Sequence, residues 1–114
     1  MENAAARDNA NGQLEVAAGE GGADMAVIAL PRALDLAFAG ALLSGILARA
    51  GDRILTLDGS NVDYASTPCV QILLAAGRKR DATDCSFVIR HASEALRRAV
   101  VDFGLQPDFS RWMA

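Results

Sequence analysis

Three short apolar runs, each followed by a stretch with helical spacing, constrain this chain more than any other feature. The runs are MAVIAL at Met25–Leu30, RILTLD at Arg53–Asp58 and SFVIR at Ser86–Arg90. Pro31 stops the first and Gly59 follows the second. Runs of this length between breakers read as buried strands rather than helix fragments. The second is nearly continuous in apolar residues, as a strand covered on both faces should be.

Between the runs the spacing changes to 3.6. From Leu36 to Ala50, the residues Leu36, Ala39, Leu43, Ile46, Leu47 and Ala50 share one face, with Asp35 as N-cap and Gly51 as the C′ residue. Phe38 and Leu42 widen that stripe, which reads as extra core or as a sticky edge for a partner. The second helix is expected from Pro68 to about Arg80, with Val70, Leu73, Leu74 and Gly77 inward. A third is capped by Ser93, keeps Ala95, Leu96, Ala99, Val100 and Phe103 in register, and closes at Gly104. The tail LQPDFSRWMA carries Phe109 and Trp112, which should lie back on the sheet because an exposed Trp is costly in a small domain. Strands separated by single helices imply parallel pairing with right-handed crossovers. The expectation is one small α/β domain with a mostly parallel central sheet of four or five strands and three main helices.

Length and composition agree with that. At 114 residues there is room for one core, and 52% hydrophobic with 22% charged residues describes a packed aliphatic domain. Residues 1–24 hold five acids against Arg7, so they net −4 and the remainder nets +1. We read residues 1–24 as a flexible acidic tail with one strand candidate at Gln13–Ala17, and residues 25–114 as the domain. A basic footprint for nucleic acid is missing, and Arg78-Lys79-Arg80 reads as the solvated last turn of the second helix. No apolar run reaches the roughly 18 residues a membrane span needs, and the start lacks a secretory signal pattern. A cytoplasmic protein without direct membrane insertion is expected.

Little catalytic chemistry is legible. Neither dinucleotide nor P-loop glycine patterns occur, and Cys69, Cys85 and the single His91 lack metal-ligand spacing. No cofactor and no enzymatic activity are expected. Asp58 and Asp63 flank a turn, where acids bond nearby amides more often than they work as an acid–base pair. Cys69, in the first turn of a helix, is either a small core residue or a thiol activated by the dipole.

Three stretches together resemble a STAS domain. VIALPRALDLAFAGALL resembles that family's first core strand, Leu-Asp pair and first helix; LTLDGSNVDYAST its strand, polar turn and hydroxyl-bearing helix start; SFVIRHASEALRRAVVDFGL its next strand and the helix ending in Gly-Leu. The resemblance spans about residues 25–105 and implies a regulatory protein–protein interaction module. In antagonist members the second helix opens with Asp-Ser-Ser-Gly, whose first serine a partner kinase phosphorylates. Ser66 matches that acceptor and Thr67 the second serine, while Ala65 and Pro68 replace the Asp and Gly. The local chemistry supplies another role, because Pro favours N1 and makes Thr67 the N-cap.

The resemblance implies a partner-binding surface of Asp63, Tyr64, Ser66, Thr67, Gln71 and Arg78. Its partner would be a histidine-kinase or anti-sigma-like ATPase domain in bacterial signalling of the chemotaxis or anti-sigma type. Tyr64 is either an interface anchor or part of the core beside the turn. The family also includes the cytoplasmic subunit of a lipid-transporting ABC complex, and relatives of the fold bind nucleotides or lipids; both stand as alternatives. A homodimer through the sheet edge is a further option.

Overall fold

The computed structural model describes Glu15–Ala17 and residues 27–113. The elements run β1 (Glu15–Ala17), β2 (Val27–Ala29), β3 (Ala33–Leu34), α1 (Leu36–Ala48), β4 (Ile54–Asp58), β5 (Tyr64–Ala65), α2 (Thr67–Ala82), β6 (Ser86–Arg90), α3 (Glu94–Asp102) and α4 (Gln106–Phe109). The main sheet has the order β1-β2-β4-β6; β1 is antiparallel to β2 and the other pairs are parallel. This is the small α/β domain with a mostly parallel four-stranded sheet that strand–helix alternation requires. Of the residues assigned to the acidic tail, Glu15–Ala17 form a sheet strand; the rest of residues 1–24 lie outside the described residues.

The register explains the core. Ile28 pairs with Leu57 and Leu57 with Ile89, so three aliphatic side chains form a row across the central strands, each at most 1% exposed. Leu55 opposite Phe87 extends the same face. On β4 the alternate residues are less covered, with Ile54 exposed and Thr56 half-buried. The sheet therefore buries one face more deeply than the nearly continuous apolar run suggests.

A second, two-stranded sheet was not legible in the sequence. β3 and β5 pair in parallel, Ala33 with Tyr64 and Leu34 with Ala65. The amides of Asp63 and Tyr64 both donate to Arg32 O, and that of Ser66 to Leu34 O. This ladder holds the entrance of α2 against the entrance of α1.

The helices follow their caps. Asp35 accepts from the Phe38 amide at 3.1 Å and Ser93 from the Leu96 amide at 3.1 Å, satisfying first-turn donors that have no partner inside the helix. α3 closes in a Schellman motif: Gly104, at φ +74°, donates to Val101 O while Leu105 donates to Val100 O. α1 ends earlier than its pattern implied, with Arg49 as C-cap, so Gly51 lies one position beyond C′.

Two expected faces are corrected. On α1 the buried residues are Phe38, Leu42 and Ile46, whereas Leu36, Leu43 and Leu47 are 72%, 45% and 62% exposed. Nearly every residue of this helix is apolar, so periodicity alone does not choose a face; packing on α2 and the sheet does. On α3 the core side is Leu96 and Val100, and Phe103 at the C-cap is 39% exposed. Arg80 is also corrected: it is 5% exposed rather than a solvated end residue, its guanidinium donating to Ser86 O at 2.7 Å and to Asp52 O.

The C-terminal segment lies back on the domain as the aromatic residues require. Phe109 and Trp112 are buried, and the amide of Ile89 donates to Trp112 O at 2.8 Å. Trp112 meets Phe87 and Phe109 edge-on, and its indole N–H donates to the Asp81 carboxylate. Gly77 makes this possible, since a Cβ there would stand 2.5 Å from the Trp112 ring.

Candidate functional site

The start of α2 is built by three short connections. Asp58 closes the end of β4 as an Asx turn, accepting from the Ser60 amide at 2.9 Å. Hydrogen bonding from Ser60 holds its carboxyl below the usual carboxylate range, assisted by the Arg90 guanidinium 3.5 Å away. Gly59 sits where a Cβ would come within 2.9 Å of Leu96, so the turn passes tightly over the start of α3. The Ser93 hydroxyl then donates to Val62 O at 2.6 Å, fixing the turn to that helix.

Asp63 does not pair with Asp58. It faces Arg32, with one carboxylate oxygen 2.7 Å from a guanidinium nitrogen. The two acids flanking the turn therefore have separate local partners, and the acid–base reading of them is set aside. A separation of 31 positions left no local signal for the Arg32 contact.

At the helix entrance the cap differs from expectation. Ser66 is the N-cap, with extended backbone at φ −84° and ψ 161°, and Thr67 and Pro68 are already in the first turn. The ladder bond from the Ser66 amide to Leu34 O keeps Ser66 extended, so the helix begins one residue earlier than Pro68 suggests. The Ser66 hydroxyl makes no capping bond; it is buried and has no hydrogen-bond partner among the described residues. Thr67 is exposed. Cys69, directly inside, is fully buried and donates to Asp35 O at 3.2 Å; burial pushes its thiol pKa up. Full burial fits the small-core reading, since a buried thiol is out of reach of a reaction partner.

The six expected contact residues fall in neighbouring places rather than one patch. Asp63 and Tyr64 line a cleft of about 450 Å³ against α3, shared with Glu94 and Arg98, and Tyr64 is 56% exposed. Gln71 lines a separate groove between α1 and α2. Ser66 and Thr67 lie between these residues in the chain. Arg78 is exposed two turns beyond Gln71, and its guanidinium reaches the Asp108 carboxylate at 3.2 Å. Of the site-forming features, sequence reasoning missed this groove, because it depends on which α1 face turns outward. His91 is exposed with φ +55° at the end of β6. Among the described residues no cluster of three His, Cys, Asp or Glu side chains gathers as metal ligands, and no helix is long and apolar enough to cross a membrane.

A mostly parallel sheet, helices on its flank and a polar, tethered start to the second helix define a small α/β domain. The family described as "Mlab, STAS domain" matches residues 12–107. The chain belongs to this family of STAS domains, which are in general regulatory protein-interaction modules and non-enzymatic. The match takes in β1, which the expected domain start at residue 25 left out. No curated protein matches the chain.

Proposed function

We propose that this protein is a non-catalytic docking module that regulates a histidine-kinase or anti-sigma-like ATPase domain in bacterial signalling, through the surface at the start of α2. The observation that carries the reading is the double tether of that segment. Backbone bonds to Arg32 O and Leu34 O hold residues 63–66 beside the entrance of α1. Exposed Tyr64 and Thr67 are thereby presented on a rigid base, which lowers the ordering cost of binding. Tyr64 serves as the aromatic anchor, and Thr67 and Gln71 as polar contacts. Arg78, paired with Asp108, belongs to the rim.

Thr67 is the residue at which phosphate would switch this surface. It is exposed in the first turn of α2, where a phosphate faces the positive end of the helix and adds about −1.5 to −2 charges. The burial of the Ser66 hydroxyl argues against that residue as the acceptor. The test is phosphopeptide mapping of protein isolated from its native cells, with Thr67→Ala beside it. The reading predicts phosphate on Thr67 and none on Ser66.

The buried, unpartnered Ser66 hydroxyl together with Ala65 also supports a second reading, docking without phosphate as a constitutive subunit. Within this family that would be the cytoplasmic STAS subunit of an ABC lipid transporter. An unmodified protein that co-purifies with membranes, and ceases to do so when the transporter is deleted, would favour it.

A further inference from the structure

The two-stranded sheet has one edge without a strand beside it. The Tyr64 and Ser66 amides donate to Arg32 O and Leu34 O, so both point at β3. Alternation along a strand turns the Ala65 N–H and C=O to the other side, and among the described residues no backbone group bonds to either. On that side lies the cleft of about 450 Å³ between β5 and α3, lined by Ala65 and, on α3, by Ala95 and Ala99. Side chains this small leave the β5 backbone within reach of an added strand.

Charge decides what kind of chain fits. Asp63, Glu94 and Asp102 line the cleft with a single guanidinium, that of Arg98. Asp63 is paired with Arg32 at 2.7 Å and Glu94 with Arg98 at 3.1 Å, but all four side chains are well exposed, and pairs of that kind contribute little. Asp102 differs from both. It is the last residue of α3, exposed, and among the described residues no cation pairs with it. An acid at the C-terminal end of a helix opposes the dipole, so Asp102 does nothing for α3 itself. Exposed Tyr64 adds an aromatic face on which a cation can rest. From Glu94 to Asp102 the α3 wall runs about 12 Å at 1.5 Å per residue. Cations at i and i+4 of an extended chain, at about 3.3 Å per residue, match that distance.

We propose that the partner docks here through an extended basic segment. The segment adds to β5 by pairing with the Ala65 backbone and sets Lys or Arg side chains against Glu94 and Asp102. This contact rests on the docking reading, since Asp63 and Tyr64 belong to both, and it extends the docking surface onto α3.

The test is fluorescence anisotropy of the full chain with labelled Lys-Val-Lys-Val-Lys-Val-Lys and its counterpart with Glu in place of Lys, at about 50 mM salt. The basic peptide should bind saturably, at least about tenfold tighter than the acidic one. Only alternate amides of an added strand face β5, so N-methylating the valines and N-methylating the lysines should differ in cost by at least about tenfold. Asp102→Asn should weaken the basic peptide about threefold. Ala82→Lys, which raises the charge equally at an exposed position outside the cleft, should leave its affinity within about 1.5-fold of wild type. No saturation, equal affinity for the two peptides, equal cost of the two N-methylations or equal loss in the two variants would overturn the proposal. So would a cleft covered by a second copy, seen as a dimer by sedimentation that Tyr64→Ala dissociates. No ATPase is present in the titration, so a failure here is separate from a failure to capture the proposed partner.

Discussion

Gly77 and Gly40 are both helix-interior glycines, and their surroundings give opposite expectations. At Gly77 a Cβ meets the Trp112 ring at 2.5 Å, and that ring is held by Phe87, Phe109 and the Asp81 carboxylate. Overpacking of this kind costs about 1–3 kcal/mol, more than the roughly 1 kcal/mol that Ala gains in helix propensity. Gly77→Ala should therefore destabilise by about 1 kcal/mol or more. At Gly40 nothing lies within 4 Å of the added carbon, so Gly40→Ala should stabilise by about 0.5–1 kcal/mol. The serines form another pair. Ser93 caps α3 and donates to Val62 O, so Ser93→Ala should cost about 1–2 kcal/mol. Ser66 has no such bonds, and Ser66→Ala should stay within about 0.5 kcal/mol of wild type. Urea denaturation reads all four. Asp58 sets an acid dependence. Its folded pKa is lowered, so the unfolded chain binds the extra proton, and this contribution is present above the ordinary carboxylate range and lost as pH falls through the folded value. Asp58→Asn should flatten the fall in unfolding free energy between about pH 5 and about pH 3.

At the scale of elements, α1 is the most informative. Its buried line of Phe38, Leu42 and Ile46 should behave as core: Leu42→Ala should cost about 2–5 kcal/mol, whereas Leu47→Lys should change stability by no more than about 0.5 kcal/mol. This contrast was not legible in the sequence, because LAFAGALLSGILA offers apolar residues in every direction. The strands were legible for the opposite reason: short runs such as ILTLD and SFVIR stand between turns and polar caps. Asp35, Ser93 and Gly104 marked helix ends correctly, since each has one local job that its chemistry suits. At α2 the same reasoning misplaced the cap by one residue, because the deciding bond, Ser66 amide to Leu34 O, comes from a distant strand. The two-residue strands β3 and β5 carry no pattern of their own. Reactivity separates the two cysteines: iodoacetamide should label half-exposed Cys85 in the native protein and leave buried Cys69 unmodified, as peptide mass mapping would show.

The whole molecule is a regulatory α/β module whose second helix joins its parts. α2 is tethered at its start by the β3–β5 ladder, in its middle by Trp112 against Gly77, and at its end by Arg80. Such a helix presents its exposed start as part of a rigid body, which is what a docking surface needs. The family and the α/β architecture were readable from the order of strands, turns and caps. The separation of Asp63 and Tyr64, in the cleft against α3, from Gln71, in the groove between α1 and α2, was not, because it depends on which helix each side chain faces. The most direct measurement is affinity capture from native cells using tagged wild type, Thr67→Arg and Arg97→Glu, with captured proteins identified by mass spectrometry. Arg97 is exposed on α3 and outside the proposed contact. The account predicts that wild type and Arg97→Glu retain a protein carrying a histidine-kinase or anti-sigma-like ATPase domain, and that Thr67→Arg loses it. Capture of the same ATPase by all three would contradict docking at the start of α2, and capture of no ATPase by wild type would contradict the proposed partner.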